Sequence, residues 1–187
     1  MTKTSPLVYA SLLSLSFLLG SRPAAHADAR DGEHAAAAAE PKLSGAYKVA
    51  ASEAEKQARQ KSVDKTVSEF FALTRPIARS KLEKKTHIAE WVTLKQGPSS
   101  VVIQFEGRDV ETCPLKGTSK GKDPEGNDAE FAARWDGDKL IQTVTTEEGK
   151  RTNTFVQQPD GSLKLTVELR SKKFETPVHY TLSYAKK

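Results

Sequence analysis

The chain has 187 residues, with 29 Lys and Arg against 24 Asp and Glu, and is 37% hydrophobic and 28% charged. That length holds one domain, or two only if both are very small. The composition excludes collagen and a polytopic membrane protein, and the lone Cys113 excludes a disulfide scaffold.

The first 27 residues read as an address. Lys3 supplies a positive charge, and Leu7 to Gly20 is an apolar run of about a dozen residues. Ala25-His26-Ala27 places small residues at the two positions a signal peptidase reads, so cleavage is expected before Asp28. The run is too short to cross a hydrocarbon core of ~30 Å comfortably. The expected location is therefore secreted or periplasmic. Taking Lys3 and Arg22 away leaves 27 basic against 24 acidic residues, too even a balance for a nucleic-acid binder. Cys113 has no intramolecular partner, and free cysteine packs most often as a small hydrophobe.

Asp28 to Lys42 has no aromatic or β-branched residue and reads as a disordered leader. The single domain is expected over residues 43–187. Leu43 to Val49 reads as a short strand. Ser52 with Glu55 fits a capping box. Val63, Val67, Phe70, Phe71 and Thr74 recur at helical spacing, and Ile77, Ala78 and Leu82 resume it after Arg75-Pro76. The pattern predicts a helix near 52–73 and a second near 76–84, with a kink or break between them.

From Thr86 the grammar becomes that of strands. The expected strands are His87–Lys95, Ser99–Glu106, Asp109–Cys113, Ala129–Trp135, Lys139–Thr146, Arg151–Gln157, Ser162–Arg170 and Pro177–Ala185. Turn residues separate them, among them Trp135-Asp136-Gly137-Asp138, Glu147-Glu148-Gly149 and Pro159-Asp160-Gly161, where glycine accepts positive φ. Leu163, Leu165, Val167 and Leu169 share one face of a strand whose other face is polar. Pro114 to Asp128 is polar and glycine-rich and reads as a mobile loop. Its GTSKGK stretch lacks the spacing and the following helix of a phosphate loop.

Consecutive strands with short turns are antiparallel neighbours, and closing them into a barrel removes exposed edges. The fold class expected is mainly β: an antiparallel up-and-down barrel of about 8–10 strands, with a two-helix segment after the first strand. The first strand would close the seam, and the helices would lie across one end.

In this order the elements resemble the calycin superfamily, in its lipocalin-like and fatty-acid-binding-protein-like members and its exported bacterial lipocalin-like domains. Gly45 and Tyr47 look like the G-x-[WY] of the first strand. Arg134 to Leu140 and Pro159 to Leu163 look like the W-x-G-x-x-L and D-G-x-L hairpins, and Phe71 to Leu82 like a recurring element of the exported domains. The resemblance covers roughly residues 43–187. It implies a barrel holding a small hydrophobic or amphipathic ligand, with the helices as a lid. Tyr184 matches the Tyr of an R-x-Y clamp on the last strand, but Leu182 stands where the Arg is expected, so the carboxylate anchor is not carried over.

No catalytic or metal-ligating constellation is present in the sequence. His87 and His179 lie on separate strands without zinc-ligand spacing, no G-x-S-x-G occurs, and no cofactor is implied. The expected ligand-binding residues are Trp91, Phe105, Phe131, Arg134, Phe155, Tyr180 and Tyr184. An apolar inner face on the last strand would bring two tyrosine hydroxyls inside, where they need partners, and Arg134 is a candidate partner or anion anchor. The alternative is that these side chains fill the barrel, which would then serve as a non-catalytic protein-interaction module of inhibitor or envelope-scaffold type. Ala51 to Lys85 carries nine Lys and Arg against five acids. A solvated helix face is preferred for it over peripheral contact with an anionic membrane. A monomer is expected.

Overall fold

A computed structural model describes residues 43–187. The expected signal peptide and leader lie outside the described residues. The first strand, β1, is Gly45–Val49, followed by helices α1, Glu53–Ser68, and α2, Arg75–Lys85. Nine more strands follow: β2 Trp91–Gln96, β3 Ser100–Phe105, β4 Glu111–Pro114, β5 Ser119–Lys122, β6 Asp128–Asp136, β7 Lys139–Thr146, β8 Gly149–Gln157, β9 Leu163–Ser171 and β10 Phe174–Lys186. They form one antiparallel sheet in the order β4-β3-β2-β1-β10-β9-β8-β7-β6-β5, curled into a nearly closed barrel. This is the expected mainly β architecture, an antiparallel barrel with two helices after the first strand.

β1 joins the last strand to β2, as expected of a seam-closing strand. The remaining opening lies elsewhere, between β4 and β5. Ser119 Oγ bridges it by donating to the Thr112 carbonyl at 2.6 Å. β5 is a correction to the reading of Pro114 to Asp128 as one loop. Its sequence, SKGK, has no apolar alternation, so nothing in it announces a strand. Its pairing with β6 depends on Gly121, whose missing side chain leaves room for the Phe131 ring.

The hairpins follow the turn chemistry. Gly137 (φ 60°) and Gly161 (φ 82°) take the left-handed conformation that a side chain disfavours. Gly149 acts differently from the expected turn glycine. It opens β8, where a Cβ would stand 2.1 Å from the Arg170 carbonyl oxygen, so it permits close approach of β9.

The helices are held by side chains more than by a broad apolar face. In α1 the Ser52 Oγ accepts from the Glu55 N–H, and the Ser52 N–H donates to Glu55 Oε2, completing the capping box. The helix ends at Ser68, five residues before the expected limit of 73. Arg75 stops it: Nε and Nη2 donate to the Phe70 and Ser68 carbonyls, which the helix leaves open at its C-terminus. Pro76 then sits in the first turn of α2, where its missing N–H costs nothing.

α1 lies along β10 beyond the point where β1 stops, at the pair Val49–Tyr184. There the His179 N–H donates to Ser62 Oγ at 2.8 Å, and Thr66 Oγ1 donates to the Thr176 carbonyl at 3.0 Å. The Glu175 and Thr176 N–H groups donate to the Glu69 carboxylate, and the Thr176 side chain first, then these N–H groups, hold that carboxyl below its ordinary pKa. The helix therefore supplies the hydrogen bonds that a neighbouring strand would have made.

The core is the barrel interior. Away from the helices it is filled: Tyr47, Leu94, Leu140, Phe155, Leu163 and Leu165 are each at most 1% exposed. Full burial of each large apolar side chain stabilises by about 1.5–3 kcal/mol. The Tyr47 hydroxyl donates to the Leu43 carbonyl at 3.0 Å, satisfying its polar end inside this packing.

Candidate functional site

The end of the barrel beneath the helices is built differently. A cavity of about 300 Å³ lies between α2 and the turns β5–β6, β7–β8 and β9–β10. Its roof is the inner side of α2, with Ile77, Ala78 and Leu82; Val144, Leu169 and Phe174 supply apolar walls from β7, β9 and β10. Its floor is polar: Arg108, Glu111, Arg151 and Asn153.

The floor is a connected hydrogen-bond chain. Arg151, Asn153 and Phe155 alternate on the inward face of β8, so strand parity turns a charged residue into the interior. Arg151 Nε donates to Asn153 Oδ1 at 2.9 Å, and Asn153 Nδ2 donates to Gln142 Oε1 at 2.7 Å. Gln142 Nε2 donates to Glu111 Oε2 at 2.5 Å and to Cys113 Sγ at 3.3 Å. This last link runs from β7 to β4. The buried Cys113 thiol is pushed up to about 11 by desolvation, so it stays protonated and unreactive near neutral pH.

Two guanidinium groups share one aromatic ring. The Cζ atoms of Arg108 and Arg151 lie 5.4 and 5.7 Å from the Phe105 ring centroid, within cation–π range. Burial, and then the charge of Arg151, pulls Arg108 down to about 10. It still carries its proton. Glu111 moves the other way: desolvation raises it, while the bond from Gln142 and the two arginines only partly oppose the rise.

α2 is tied at both ends: Arg75 and Arg79 in its first half bind the end of α1 and Asp64, and its C-terminus is held to α1 and to the barrel mouth. At its C-terminus Arg59 Nε and Nη2 donate to the carbonyls of Thr86 and Glu83, and Nη2 also to Thr86 Oγ1. Lys85 reaches across the mouth to Glu125 at 3.0 Å and Glu148 at 3.7 Å. The Lys85 carbonyl accepts from Arg151 Nη1 at 3.2 Å. At the other end, the α1–α2 connection presents Phe71 and Leu73 to solvent at 87% and 92% exposure, and Ile77 follows on the first turns of α2.

None of the residues expected from the sequence lines this cavity. Phe105, Phe131, Phe155, Tyr180 and Tyr184 are buried and pack in the core. Phe105 stands closest in role, as the ring under both arginines. The two tyrosines do point inward, but their hydroxyls are already used: Tyr180 donates to the Thr86 carbonyl at 3.5 Å and Tyr184 to the Ala89 carbonyl at 3.1 Å. They anchor the connection between α2 and β2. Trp91 is half-buried and alternates with the buried Val92 and Leu94, so it belongs to the outer face of β2. Arg134 corrects the expectation of an interior partner or anion anchor: its side chain is 64% exposed, beside Asp136 on the outer face of β6. The interior cations are Arg108 and Arg151 instead. Arg151 was legible in principle, since it shares parity with Asn153 and Phe155.

Among the described residues no group of three or more His, Cys, Asp and Glu side chains could hold a metal ion. His87 and His179 are both exposed. The cavity therefore brings together an apolar roof and a cationic floor, without a nucleophile and base in hydrogen-bond reach.

No protein-family model matches the chain, and no curated protein matches it. Solved structures similar to it include human cRBP IV, at TM-score 0.48 and 14% identity, covering 79% of this chain and 99% of that one. Another is the REP1-NXSQ fatty acid transporter, at TM-score 0.49 and 13% identity, covering 78% of this chain and 96% of that one.

Proposed function

We propose that the protein is an exported, non-catalytic carrier that binds one small hydrophobic or amphipathic molecule between α2 and the mouth of the barrel. The cavity of about 300 Å³ under α2 carries this reading. Ligand pockets run from roughly 300 to 1,000 Å³, so the occupant is small and binds by burying its apolar surface against Leu82, Val144 and Leu169. The barrel below is filled, so the ligand sits at the mouth rather than along the barrel axis. α2 acts as the lid. Its C-terminal end is held to the barrel mouth by Lys85, whereas Arg75 and Arg79 tie its other end to α1 alone, so opening starts at the connection near Phe71 and Leu73. Export rests on the signal-like pattern of residues 1–27.

Titration with Nile red, a neutral apolar dye, tests the binding. A saturable rise in fluorescence, lost on substituting Ala78→Phe in the cavity roof, is expected. Native mass spectrometry of protein taken from its host's exported fraction would then show the cargo as added mass. A flat titration, together with a bare polypeptide mass, would favour the filled, protein-binding alternative.

A further inference from the structure

We infer that Asp136–Gly137, in the β6–β7 hairpin, is a site of spontaneous backbone rearrangement to isoaspartate, and that Asp160–Gly161, the same dipeptide in the β8–β9 hairpin, is shielded from it by its own turn. Two Asp–Gly pairs lie among the described residues; a third, Asp31–Gly32, lies outside them. The chemistry needs no cofactor. The Gly137 backbone nitrogen attacks the side-chain carboxyl carbon of Asp136 in its neutral acid form. The N–Cγ bond forms, and the carboxyl hydroxyl leaves as water, taking up the amide proton. Water then opens the five-membered ring. Attack at the main-chain carbonyl carbon of Asp136 returns a chain that runs through Cβ and Cγ and is one atom longer. Glycine on the attacking side leaves the nitrogen unshielded, because it has no Cβ.

The two pairs differ in what holds the reacting groups. Asp160 Oδ1 accepts from Ser162 Oγ at 2.6 Å and from the Ser162 N–H at 2.9 Å. These bonds, the side chain's first, keep the Asp160 carboxyl below its ordinary pKa and so away from the neutral acid. The Gly161 N–H donates to the Gln158 carbonyl at 2.9 Å, so the nucleophile is engaged with the backbone. Asp136 has neither restraint. Its side chain is 64% exposed, and its one ion-pair partner among the described residues, Arg134, stands 4.0 Å away, beyond hydrogen-bond distance. The Gly137 N–H has no hydrogen-bond partner among the described residues. Nothing lies within 4 Å of the position a Cβ would take on Gly137, so the ring has room. Asp136 is also the last residue of β6, fixed there by its pairing with Lys139. A terminal pair opens at small cost, which frees the backbone rotation that ring closure needs. The extra main-chain atom would separate Lys139 from Asp136 and loosen the next pair, Trp135–Leu140, at the filled end of the barrel.

Storage of the folded protein at pH 6 and body temperature tests the inference, followed by mildly acidic digestion and fragment mass spectrometry that separates isoaspartate from aspartate. Synthetic peptides spanning residues 131–142 and 156–167 give the rates without the fold. The two peptides are expected to react at similar rates. In the protein, isoaspartate should build up at position 136 about tenfold faster than at 160, as for one hydrogen bond to a charged group that must first break. A ring form one water lighter should appear transiently in the fragment that holds 136. Ser162→Ala should raise the rate at 160 several-fold and leave 136 unchanged. Asp136→Ser, an exposed substitution, should abolish the signal at 136 in a protein that stays folded. Equal rates at the two sites of the folded protein, or no rearrangement at 136 while both peptides react, would overturn the inference. So would peptides that already differ as much as the two sites do. No change at 160 in Ser162→Ala would overturn the shielding.

Discussion

The two ends of the barrel solve the same packing problem in opposite ways. At the end away from the helices, Leu140, Phe155 and Leu165 stand opposite one another across three strands and exclude all space. At the helical end the corresponding inward positions are Val144, Arg151 and Leu169, again in register, but one of the three is charged and the space above them is open. Close packing is thus concentrated in one half and open space in the other. That division lets a small barrel keep a cavity without losing its core.

The sharpest way to break this contrast is to make holes at both ends. Phe155→Ala should cost about 3–5 kcal/mol in urea unfolding, because it removes a fully buried ring from close packing. Leu169→Ala, at a partly buried wall of an existing cavity, should cost only about 1–2 kcal/mol. Equal losses would show that the filled and open halves are not energetically distinct.

Adding volume reverses the test. Ala133→Phe on the inner face of β6 should destabilise by about 1–3 kcal/mol, since no room exists there. Ala78→Phe in the roof should change stability by no more than about 0.5 kcal/mol while abolishing Nile red binding.

The third prediction concerns charge. Burial raises the pKa of Glu111 in the folded protein, so the native state holds that proton more tightly than the unfolded chain does. Ionised Glu111 therefore costs stability at neutral pH. The cost fades as pH falls from its raised pKa through the ordinary carboxylate range. Glu111→Gln should raise the midpoint of thermal unfolding at pH 7 and leave it unchanged at pH 3. Glu69, on the helical rim, has the opposite sign: its lowered pKa gives stability above the ordinary carboxylate range that is lost on acidification. A lower midpoint for Glu111→Gln at pH 7 would show that the carboxylate is needed to hold the floor together.

The smallest effect belongs to the Lys85 latch. Its pairs with Glu125 and Glu148 are partly exposed, so Lys85→Gln should cost no more than about 1 kcal/mol of stability. If α2 is a lid, the same change should speed Nile red release roughly two- to fivefold in stopped flow. Unchanged release with unchanged affinity would place the exit away from α2.

Much of the fold was legible in the sequence because it rests on local rules. Ser52 with Glu55 marked the start of α1, Pro76 marked the break, and the alternation of Leu163 to Leu169 marked a strand with one inner face. β5 was not legible, because SKGK pairs through backbone and Gly121 alone. The site was less accessible for a different reason. Aromatic residues drew attention to the inner faces, yet Phe131 and Phe155 fill space and the tyrosine hydroxyls are consumed by the carbonyls of Thr86 and Ala89. Arg134 stands one residue out of phase with Phe131, Ala133 and Trp135, and a shift of one in a strand changes the face. Arg108 reaches the floor from a turn, where no periodicity applies. Its position over the Phe105 ring, which Arg151 shares, exists only in three dimensions.

The hydrogen bonds that α1 makes to β10 have a consequence for the fate of a damaged molecule. Ser62, Thr66 and Glu69 occupy backbone groups that would otherwise invite another chain. Were α1 to peel away, several residues of the longest strand, next to Val178 and Tyr180, would become an open template for intermolecular strand addition. α1 thereby guards against aggregation, while α2 roofs the cavity. Proteolytic clipping between α1 and α2 would therefore be dangerous for the sticky edge it uncovers.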